Sequence, residues 1–590
     1  MKLKRIGVLA AVVAAGALAL SGCSAGSGDT SEIVKGTSIT VAENSGFTSY
    51  NSLSATGDSV YNGNVTYMTN SWFNYYDATP KLVNNTKFGT ETMIKKSPLT
   101  IKYTINPGVK WSDGTPVTAA DLLLDWASSI SKYNDEKTVN FTSAGAGGGL
   151  DLVTKTPTIS KDGQSLTMEY SKPFVDWQIA LPSTMLPAHA TYNIAFPGTK
   201  AATANKDVIK AIDNNDTATL KKLAKAWSTG FDMTSTPSDK SLILSDGAYV
   251  ISAIAKNASI SLVPNKAYNW GPQPKIGKFT FRVIQDPTAQ VQALQNGEIS
   301  VVFGQADADT GSALKALSGV TTTTTPSSTY EHVDLVFDNG GPFDPATYGG
   351  DAAKAQDVRE AFMKALPRQE IVDKLIKPIQ ASAKLDESQT LLPGAAGYDA
   401  AVAANGSSAY DSVDIAAAKA DLAKAGVSTI NVKFLYGKSN TRRAAEFALI
   451  QASEAQAGIN VIDNGNDDWP SLLGNKSYDA VLFAWQFTSL AVTNSQSTFQ
   501  TGGGNNLNGY SNKATDADYK SLQSDYTQSS QLKLLADIDK NAWSDAYGAT
   551  LFQFPDISAW SNNVQNLKDN PLSPGIFWNY FDWTIKKASK

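Results

Sequence analysis

The distribution of apolar and polar residues predicts strands and helices along the whole chain. Residues 38–42 are rich in β-branched side chains, and residues 101–105 alternate between apolar and polar, so each segment is a predicted strand. Leu122, Trp126 and Ile130 recur four residues apart, as on the buried face of a helix. The first part of the chain therefore contains both strands and amphipathic helices.

The second half of the chain alternates helix and strand. Residues 358–366 have the apolar spacing of a helix, which is expected to break at Pro367. Residues 430–436 alternate as a strand, residues 443–457 follow as a helix, and a further strand begins at residues 459–462. This order is typical of an α/β fold in which helices cover a largely parallel sheet.

The first 22 residues have the pattern of an export signal. Three basic residues precede an uncharged apolar run over residues 6–20, which is shorter than the roughly 20 residues that cross a bilayer. Cys23 follows small residues and resembles the lipobox cysteine of bacterial lipoproteins, which is acylated after cleavage. We expect an extracytoplasmic protein anchored to the membrane by lipidated Cys23, with residues 23–36 as a flexible tether. An ordinary secretory signal with an incidental cysteine is the alternative.

Composition narrows the classes of function. Cys23 is the single cysteine among 590 residues, so we expect no internal disulfide. The formal net charge is -5 and no basic cluster is present, which disfavours nucleic acid as a partner. A single hydrophobic core stops growing at about 250–300 residues, so a chain of this length is predicted to form at least two lobes. We expect it to act as a monomer.

One run of residues carries a specific resemblance. Residues 109–121, Val-Lys-Trp-Ser-Asp-Gly-Thr-Pro-Val-Thr-Ala-Ala-Asp, closely resemble the signature of the family 5 extracellular solute-binding proteins, the oligopeptide- and dipeptide-binding group. Within the run, Thr118 and Asp121 form a capping box, and Trp111 precedes a turn, so we assign Trp111 to structure. Weaker matches follow in the family's order at residues 185–189, 245–249, 265–271, 295–299, 358–362 and 478–485.

The resemblance implies an architecture. It is an α/β, two-lobed fold like the type II periplasmic-binding proteins, with an extra inserted domain as in the cluster of large peptide-binding proteins. The first lobe is expected to comprise residues 37–76, 191–329 and 554–590, with the inserted domain at residues 77–190. Residues 330–553 are expected to form the second lobe.

The resemblance also implies a function. Members of the family capture a solute between the lobes and deliver it to the membrane subunits of an ABC importer, so the expected ligand is a short peptide. A non-peptide solute such as an oligosaccharide is an alternative, because 12 tryptophans are available to stack on sugar rings. A surface protein that senses or hydrolyses its ligand is a further alternative.

The strand matched at residues 478–485 is expected to carry the principal ligand contacts. Ligands of open parallel sheets bind at the carboxyl ends of strands. Trp485, Gln486, Phe487 and Thr488 are therefore candidate ligand-binding residues. A core tryptophan near the hinge is the alternative interpretation of Trp485.

Thr488 departs from the family pattern. In peptide-binding members the strand tryptophan is followed, as W-x-x-D, by an aspartate that pairs with the ammonium group of the ligand. Thr488 occupies that position here and supplies no charge, which would cost a free peptide N-terminus a contact of about 1.5–3 kcal/mol. Asp467 and Asp468 are candidates to replace it.

Other candidate ligand contacts come from predicted loops. They follow the first strand, the strand at residues 333–337 and the predicted strand at residues 478–485. These residues are Asn44, Gly46, Phe47, Asn339, Asn508 and Tyr510. Ordinary loop chemistry is the alternative for Asn339 and Tyr510.

The sequence has no recognisable catalytic or metal-binding pattern. His189 and His332 are the two histidines of the chain, and neither has a second histidine or a cysteine at ligand spacing. The motifs of zinc proteases, serine hydrolases and P-loop enzymes do not occur in the sequence. We therefore expect a protein that is not an enzyme, with no catalytic residues, no cofactor and no bound metal.

Overall fold

The computed structural model describes residues 32–144, 148–305, 308–467, 469–487 and 489–586. The predicted signal peptide, Cys23, Asp468 and Thr488 lie outside these residues.

Strands and helices occur throughout the described chain. The strands are β1 (Ile39–Glu43), β2 (Asn74–Tyr76), β3 (Leu82–Asn84), β4 (Gly89–Lys96), β5 (Leu99–Ile105), β6 (Thr158–Ile159), β7 (Ser165–Glu169), β8 (Tyr249–Ala255), β9 (Ser259–Pro264), β10 (Phe279–Val283), β11 (Val301–Gln305), β12 (Val320–Leu335), β13 (Ile430–Tyr436), β14 (Ile459–Asp463), β15 (Ala480–Gln486), β16 (Gly548–Ser561), β17 (Val564–Gln565) and β18 (Thr584–Ile585). The helices are α1 (Val60–Thr69), α2 (Ala119–Ser129), α3 (Ala188–Ala195), α4 (Ala201–Asp213), α5 (Thr217–Thr229), α6 (Pro287–Gln295), α7 (Ala308–Lys315), α8 (Ala352–Ala365), α9 (Arg368–Ile371), α10 (Tyr398–Asn405), α11 (Ile415–Ala425), α12 (Thr441–Ala457), α13 (Trp469–Leu472), α14 (Gln496–Phe499), α15 (Lys513–Leu522) and α16 (Gln528–Ser544).

A ten-stranded sheet of mixed direction joins most of these strands, in the order β14-β13-β15-β12-β16-β11-β1-β10-β9-β8. β13 pairs in parallel with β14 and β15, and β1 pairs in parallel with β10 and β11. The other neighbours are antiparallel. The α/β prediction is confirmed, but the prediction of a largely parallel sheet is wrong, because β12 and β16 insert an antiparallel pair at its centre.

The long strands β12 and β16 carry the chain between the two parts of the molecule. One end of β16 pairs with β11, and the opposite end of β12 pairs with β15. Between these ends the ladder is irregular after Pro326, which stands opposite Pro555. Proline has no N–H to donate, so hydrogen bonding between the two strands is weakest there.

A separate hydrophobic core lies on each side of the β12–β16 pair. The first includes side chains from residues 39–301 and 560–583, and the second includes side chains from residues 333–554. We call the parts built on these cores the first and the second lobe. A four-stranded sheet, β4-β5-β7-β6, belongs to the predicted inserted domain and packs on the first core. The exact lobe boundaries stay predictions.

Helix α2 begins with the predicted capping box. The Thr118 hydroxyl accepts from the N–H of Ala120, and the Asp121 carboxylate accepts from the N–H of Thr118 at 2.8 Å. The other Asp121 oxygen accepts from the N–H of Ala188 at 2.8 Å, so this residue also holds the start of α3. Trp111 is fully buried nearby, as expected of a structural residue.

Buried carboxyl groups link several loops of the first lobe. Asp246 accepts from the Ser71 N–H at 2.8 Å and from the Thr184 hydroxyl at 2.5 Å. Burial raises the pKa of Asp246 to about 7. Burial likewise raises the pKa of Asp386 and of Asp556 to about 7. In the unfolded chain these groups titrate near pH 4, so the folded protein binds more protons than the unfolded chain between about pH 4 and pH 7.

The free energy of unfolding should therefore decrease as the pH rises through this window. We expect a lower melting temperature at about pH 8 than at about pH 5.5, as measured by thermal denaturation across a pH series. Asp246→Asn keeps an acceptor toward the Ser71 N–H and removes one titrating group. The melting temperature of this variant should therefore fall less between pH 5.5 and pH 8 than that of the parent. A melting temperature that rises from pH 5.5 to pH 8 would contradict this interpretation.

Candidate functional site

A crevice made of three adjoining cavities lies between the two lobes. The largest, which we call the large chamber, has a volume of about 990 Å³. Its first-lobe wall comes from residues 76–82 and 175–179, and its second-lobe wall comes from residues 392–396 and 526–531 together with Leu490 and Val492. Lys81 and Asp176 are its charged lining residues.

Two smaller cavities share walls with the large chamber. The aromatic chamber, of about 340 Å³, is lined by Tyr67, Trp72, Tyr75 and Tyr76 among others, without a charged residue in its described lining. The acidic chamber, of about 370 Å³, contains Asp125 and Asp176 in its lining. Ile179 lines all three cavities, so they adjoin one another around this residue.

A segment of the second lobe, residues 489–493, crosses the crevice and separates the chambers. Its residues alternate: Leu490 and Val492 line the large chamber, whereas Ala491 and Thr493 line the acidic chamber. Ser489 lines the aromatic chamber. The segment ends in a turn, in which the Asn494 N–H donates to the Ala491 carbonyl at 3.1 Å. We call residues 489–493 the crossing segment.

Asp176 of the first lobe holds the crossing segment. Its Oδ1 accepts from the Val492 N–H at 2.7 Å, and its Oδ2 accepts from the Thr493 N–H at 3.0 Å and from the Thr493 hydroxyl at 2.5 Å. Asp176 is buried and precedes the short helical turn Trp177–Ile179, but its side chain does not cap that turn. The carboxylate is therefore directed across the crevice and not along its own backbone.

Tyr76 makes a second contact between the lobes. Its hydroxyl accepts from the N–H of Leu490 at 3.3 Å. Together with Asp176, it places the first lobe against three N–H groups of the crossing segment, those of Leu490, Val492 and Thr493. Hydrogen bonds to a carboxylate contribute about 1.5–3 kcal/mol each, so the Asp176 contacts dominate.

Rings stacked on one another build the wall of the aromatic chamber. Tyr67 and Trp72 are stacked with centroids 5.6 Å apart, and Trp72 meets Tyr75 edge-on at 4.6 Å. Trp578 lies 6.5 Å from Tyr75 on the far side. Such a wall is rigid and apolar, and it presents ring faces suited to a flat or aliphatic group of a ligand.

Asp125 is the buried acid of the acidic chamber. It lies on α2, one turn after Asp121, and its Oδ2 accepts from the Met185 N–H at 3.2 Å. Its Oδ1 is buried and has no hydrogen-bond partner among the described residues. Burial raises the pKa of Asp125 well above its ordinary range, and the carboxyl groups of Asp121 and Asp246 raise it further.

The predicted cleft strand ends one layer behind the wall of the crevice. Trp485 is half-buried, stacks with His332 at 6.2 Å and meets Phe483 edge-on at 5.1 Å. Phe487 is buried beside Tyr330, at 5.4 Å, and its N–H donates to the Ser328 carbonyl at 3.0 Å. Both rings pack with Tyr76, Leu392, Ala395 and Leu490, which line the large chamber. Gln486 is exposed.

Three other candidates lie inside the second lobe. Asn339 donates to the Tyr478 carbonyl at 2.6 Å and to Asp479 at 2.9 Å, and Tyr510 donates to Asp545 at 2.8 Å. Asn508 accepts the Phe337 N–H through its carbonyl and is buried. These residues do not belong to the described lining of the three chambers.

The candidates after β1 lie apart from the crevice. Gly46 and Phe47 line a cavity of about 10 Å³ together with Glu43 and Tyr61, and Asn44 is exposed in the same loop. Asp467 is exposed and accepts from the Ser439 N–H at 2.8 Å. The predicted ligand role of these residues stays a prediction, and Thr488 lies outside the described residues.

The crevice residues that the sequence did not reveal are Tyr76, Asp125, Asp176 and the crossing segment. The run Ser-Trp-Phe-Asn-Tyr-Tyr at residues 71–76 is unusually aromatic and was a usable indication. Asp176 carries no comparable pattern, because its partners lie 316 and 317 residues away in the chain.

No helix in the described part of the chain is long and apolar enough to cross a bilayer. Among the described residues, no three side chains of the histidine, cysteine, aspartate or glutamate type are grouped as metal ligands would be. Each histidine lies within hydrogen-bond distance of an aspartate: His189 of Asp113 at 3.1 Å and His332 of Asp334 at 2.8 Å.

A two-lobed α/β fold with a crevice between the lobes defines a binding protein of the periplasmic type. Residues 68–506 match the model of the bacterial extracellular solute-binding proteins, family 5. The match covers most of the chain, which therefore belongs to this family, and the resemblance seen in residues 109–121 is confirmed. The protein is thus a family 5 solute-binding protein of the kind that serves ABC importers.

Individual relatives agree with this assignment. An uncharacterized lipoprotein of Mycobacterium tuberculosis is 25% identical over 533 residues, covering 87% of each chain. Among solved structures, a periplasmic EDTA-binding protein, EppA, matches with a TM-score of 0.75 and 21% identity over 94% of this chain and 98% of its own. The oligopeptide-binding protein AppA from Bacillus subtilis, solved with a nonapeptide, matches with a TM-score of 0.65 and 16% identity over 93% of this chain and 99% of its own.

The contacts of Asp176 lead to a prediction about the spacing of the lobes. Asp176→Asn replaces one acceptor oxygen by an NH2 group, which cannot accept from a backbone N–H of the crossing segment, so part of the interlobe contact is lost. We expect an opened crevice and a larger radius of gyration in small-angle X-ray scattering of the solute-free protein. Asp232→Asn, at an exposed aspartate of the first lobe, is the matched control and should scatter like the parent. Identical scattering from all three folded proteins would show that Asp176 does not hold the lobes together.

Proposed function

We propose that this protein captures short peptides in the crevice between its lobes and delivers them to the membrane subunits of an ABC importer. The observation that carries the proposal is the crevice itself, with walls from both lobes and a large chamber of about 990 Å³. This volume lies at the upper end of the range of small-molecule sites, about 300–1,000 Å³. Membership of the family supports the transport role.

Closure of the lobes is the proposed mechanism of capture. The two strands β12 and β16 join the lobes and are irregular at Pro326, which favours a hinge there. When the lobes approach, Asp176 and Tyr76 meet the crossing segment, and solute in the chambers is shielded from water. Polar contacts to the solute strengthen as water is excluded. The closed form then presents the importer with a shape that the open form lacks.

A non-peptide solute is the second candidate. The aromatic chamber, with the stacked pair of Tyr67 and Trp72 and no charged residue in its described lining, is suited to the face of a sugar ring or another flat group. The similarity to an EDTA-binding protein also supports solutes other than peptides in this fold.

The proposed location is extracytoplasmic, with the protein tethered to the membrane through acylated Cys23. A diacylated cysteine supplies two chains, and two chains are enough for stable anchoring. The lipoprotein relative supports this proposal. We propose a monomer as the working form.

Binding of peptides can be tested by thermal shift. A mixture of di- to hexapeptides should raise the melting temperature, since a ligand at 100 times its Kd stabilises the native state by about 2.7 kcal/mol. Ala395→Trp, which places a large ring in the large chamber, should abolish the shift, whereas the size-matched Ala395→Ser should retain it. A response to oligosaccharides alone would decide for the second candidate. A flat response to both classes, or an unchanged response in Ala395→Trp, would contradict the proposed site.

The anchor can be tested by phase partitioning in a detergent that separates on warming. The full chain expressed in a bacterial host should enter the detergent phase, and Cys23→Ser should remain in the aqueous phase. Mass spectrometry of the N-terminal peptide should show acylated cysteine. Partitioning of the parent into water would contradict lipidation.

A further inference from the structure

The acidic chamber differs from the rest of the crevice in its chemistry. Two carboxyl groups, Asp125 and Asp176, line a cavity of about 370 Å³, and no lysine or arginine belongs to its described lining. The other polar side chains of the lining are hydroxyl groups: Ser129, Ser143, Ser183 and Thr493. Every one of these groups is able to accept a hydrogen bond from a bound donor.

Asp125 is the residue that requires an explanation. Its side chain is 2% exposed, and Oδ1 has no partner in the described structure although Oδ2 is held by the Met185 N–H. A buried carboxyl oxygen without a partner costs about 1–3 kcal/mol, and native proteins rarely leave one without a reason. Asp176 does not satisfy it, because its own oxygens are bonded to Val492 and Thr493.

The surroundings favour a positively charged partner. Asp121 and Asp246 lie near enough to disfavour a further negative charge on Asp125, and Asp176 shares the cavity. An opposite charge offsets both this repulsion and the cost of burying a carboxylate. A cation that donates hydrogen bonds, such as an ammonium group with its three N–H donors, would supply Oδ1 with its missing partner.

We propose that the acidic chamber is the subsite for a cationic amino group of the solute, with Asp125 as its direct partner. This inference rests on the proposed function, because it requires a solute that binds in the crevice. It also accounts for the threonine at position 488, because the acid that meets the amine then comes from the first lobe. On binding, the carboxyl proton of Asp125 passes to solvent, and the ammonium group takes its place.

Two matched pairs of probes test the subsite. The first pair is a mixture of tetrapeptides with free N-termini and the same mixture N-acetylated. The second pair is n-butylammonium chloride and n-butanol, with sodium chloride holding the ionic strength constant. Thermal shift and calorimetric titration are measured on the parent, on Asp125→Asn and on Asp232→Asn, an exposed aspartate outside the crevice.

The parent and Asp232→Asn should bind the free mixture at least about tenfold more tightly than the acetylated one, as expected for one charge-assisted hydrogen bond. Butylammonium should raise their melting temperature where butanol does not. Asp125→Asn should bind the free and the acetylated mixtures equally, and butylammonium should no longer raise its melting temperature. If Asp125→Asn fails to fold, Asp125→Ser is used in its place, because its hydroxyl group can still accept from the Met185 N–H.

Equal affinity for free and acetylated peptides in the parent would overturn the subsite while leaving peptide binding intact. So would a butylammonium effect that persists in Asp125→Asn. If neither mixture binds, the peptide function is refuted, and the butylammonium comparison alone decides: a shift that depends on Asp125 supports the amine subsite, and its absence overturns it.

Discussion

Two antiparallel strands connect the halves of this molecule, and the proposed closure depends on a change of angle where their pairing is disturbed. β12 and β16 lie at the centre of the ten-stranded sheet, yet their pairing is disturbed where Pro326 faces Pro555. Each lobe has its own hydrophobic core, so a change of angle at this point does not require either core to be repacked. The crevice lies between these two cores, and a smaller hydrophobic cluster that includes Tyr76, Phe487 and Leu572 joins the lobes beside it.

The polar contacts across the crevice centre on one buried carboxylate. Asp176 binds two peptide N–H groups and a hydroxyl of the opposite lobe, and it is buried. A carboxylate with three donors is well satisfied, whereas the same group in an opened crevice is bonded to water. In the proposed mechanism the net gain on closure is therefore modest, which would allow the lobes to reopen and release a solute. In the same mechanism a bound solute would add the remaining free energy by contacting both walls.

Local features of the fold could be predicted from the sequence, and features that join distant segments could not. The capping box of Thr118 and Asp121 involves neighbours in the chain, and the predicted helix begins there. The antiparallel centre of the sheet escaped prediction because β12 and β16 are separated by more than 200 residues. Trp485 and Phe487 were placed near the crevice by their strand, but the wall itself is formed by side chains that pack on them. Asp125 sits within the apolar run Leu122 to Trp126, and a charged residue in such a run was the one indication that it is buried.

Hydrogen exchange tests most directly whether the lobes close around a solute. The protein would be stripped of solute by unfolding and refolding, and exchange would be followed with and without the released small-molecule fraction. Capture by closure predicts that the solute slows exchange both in residues 175–179 of the first lobe and at the amides of Val492 and Thr493 in the second, because these segments meet across the closed crevice. Protection confined to one lobe, or located away from the three chambers, would contradict it.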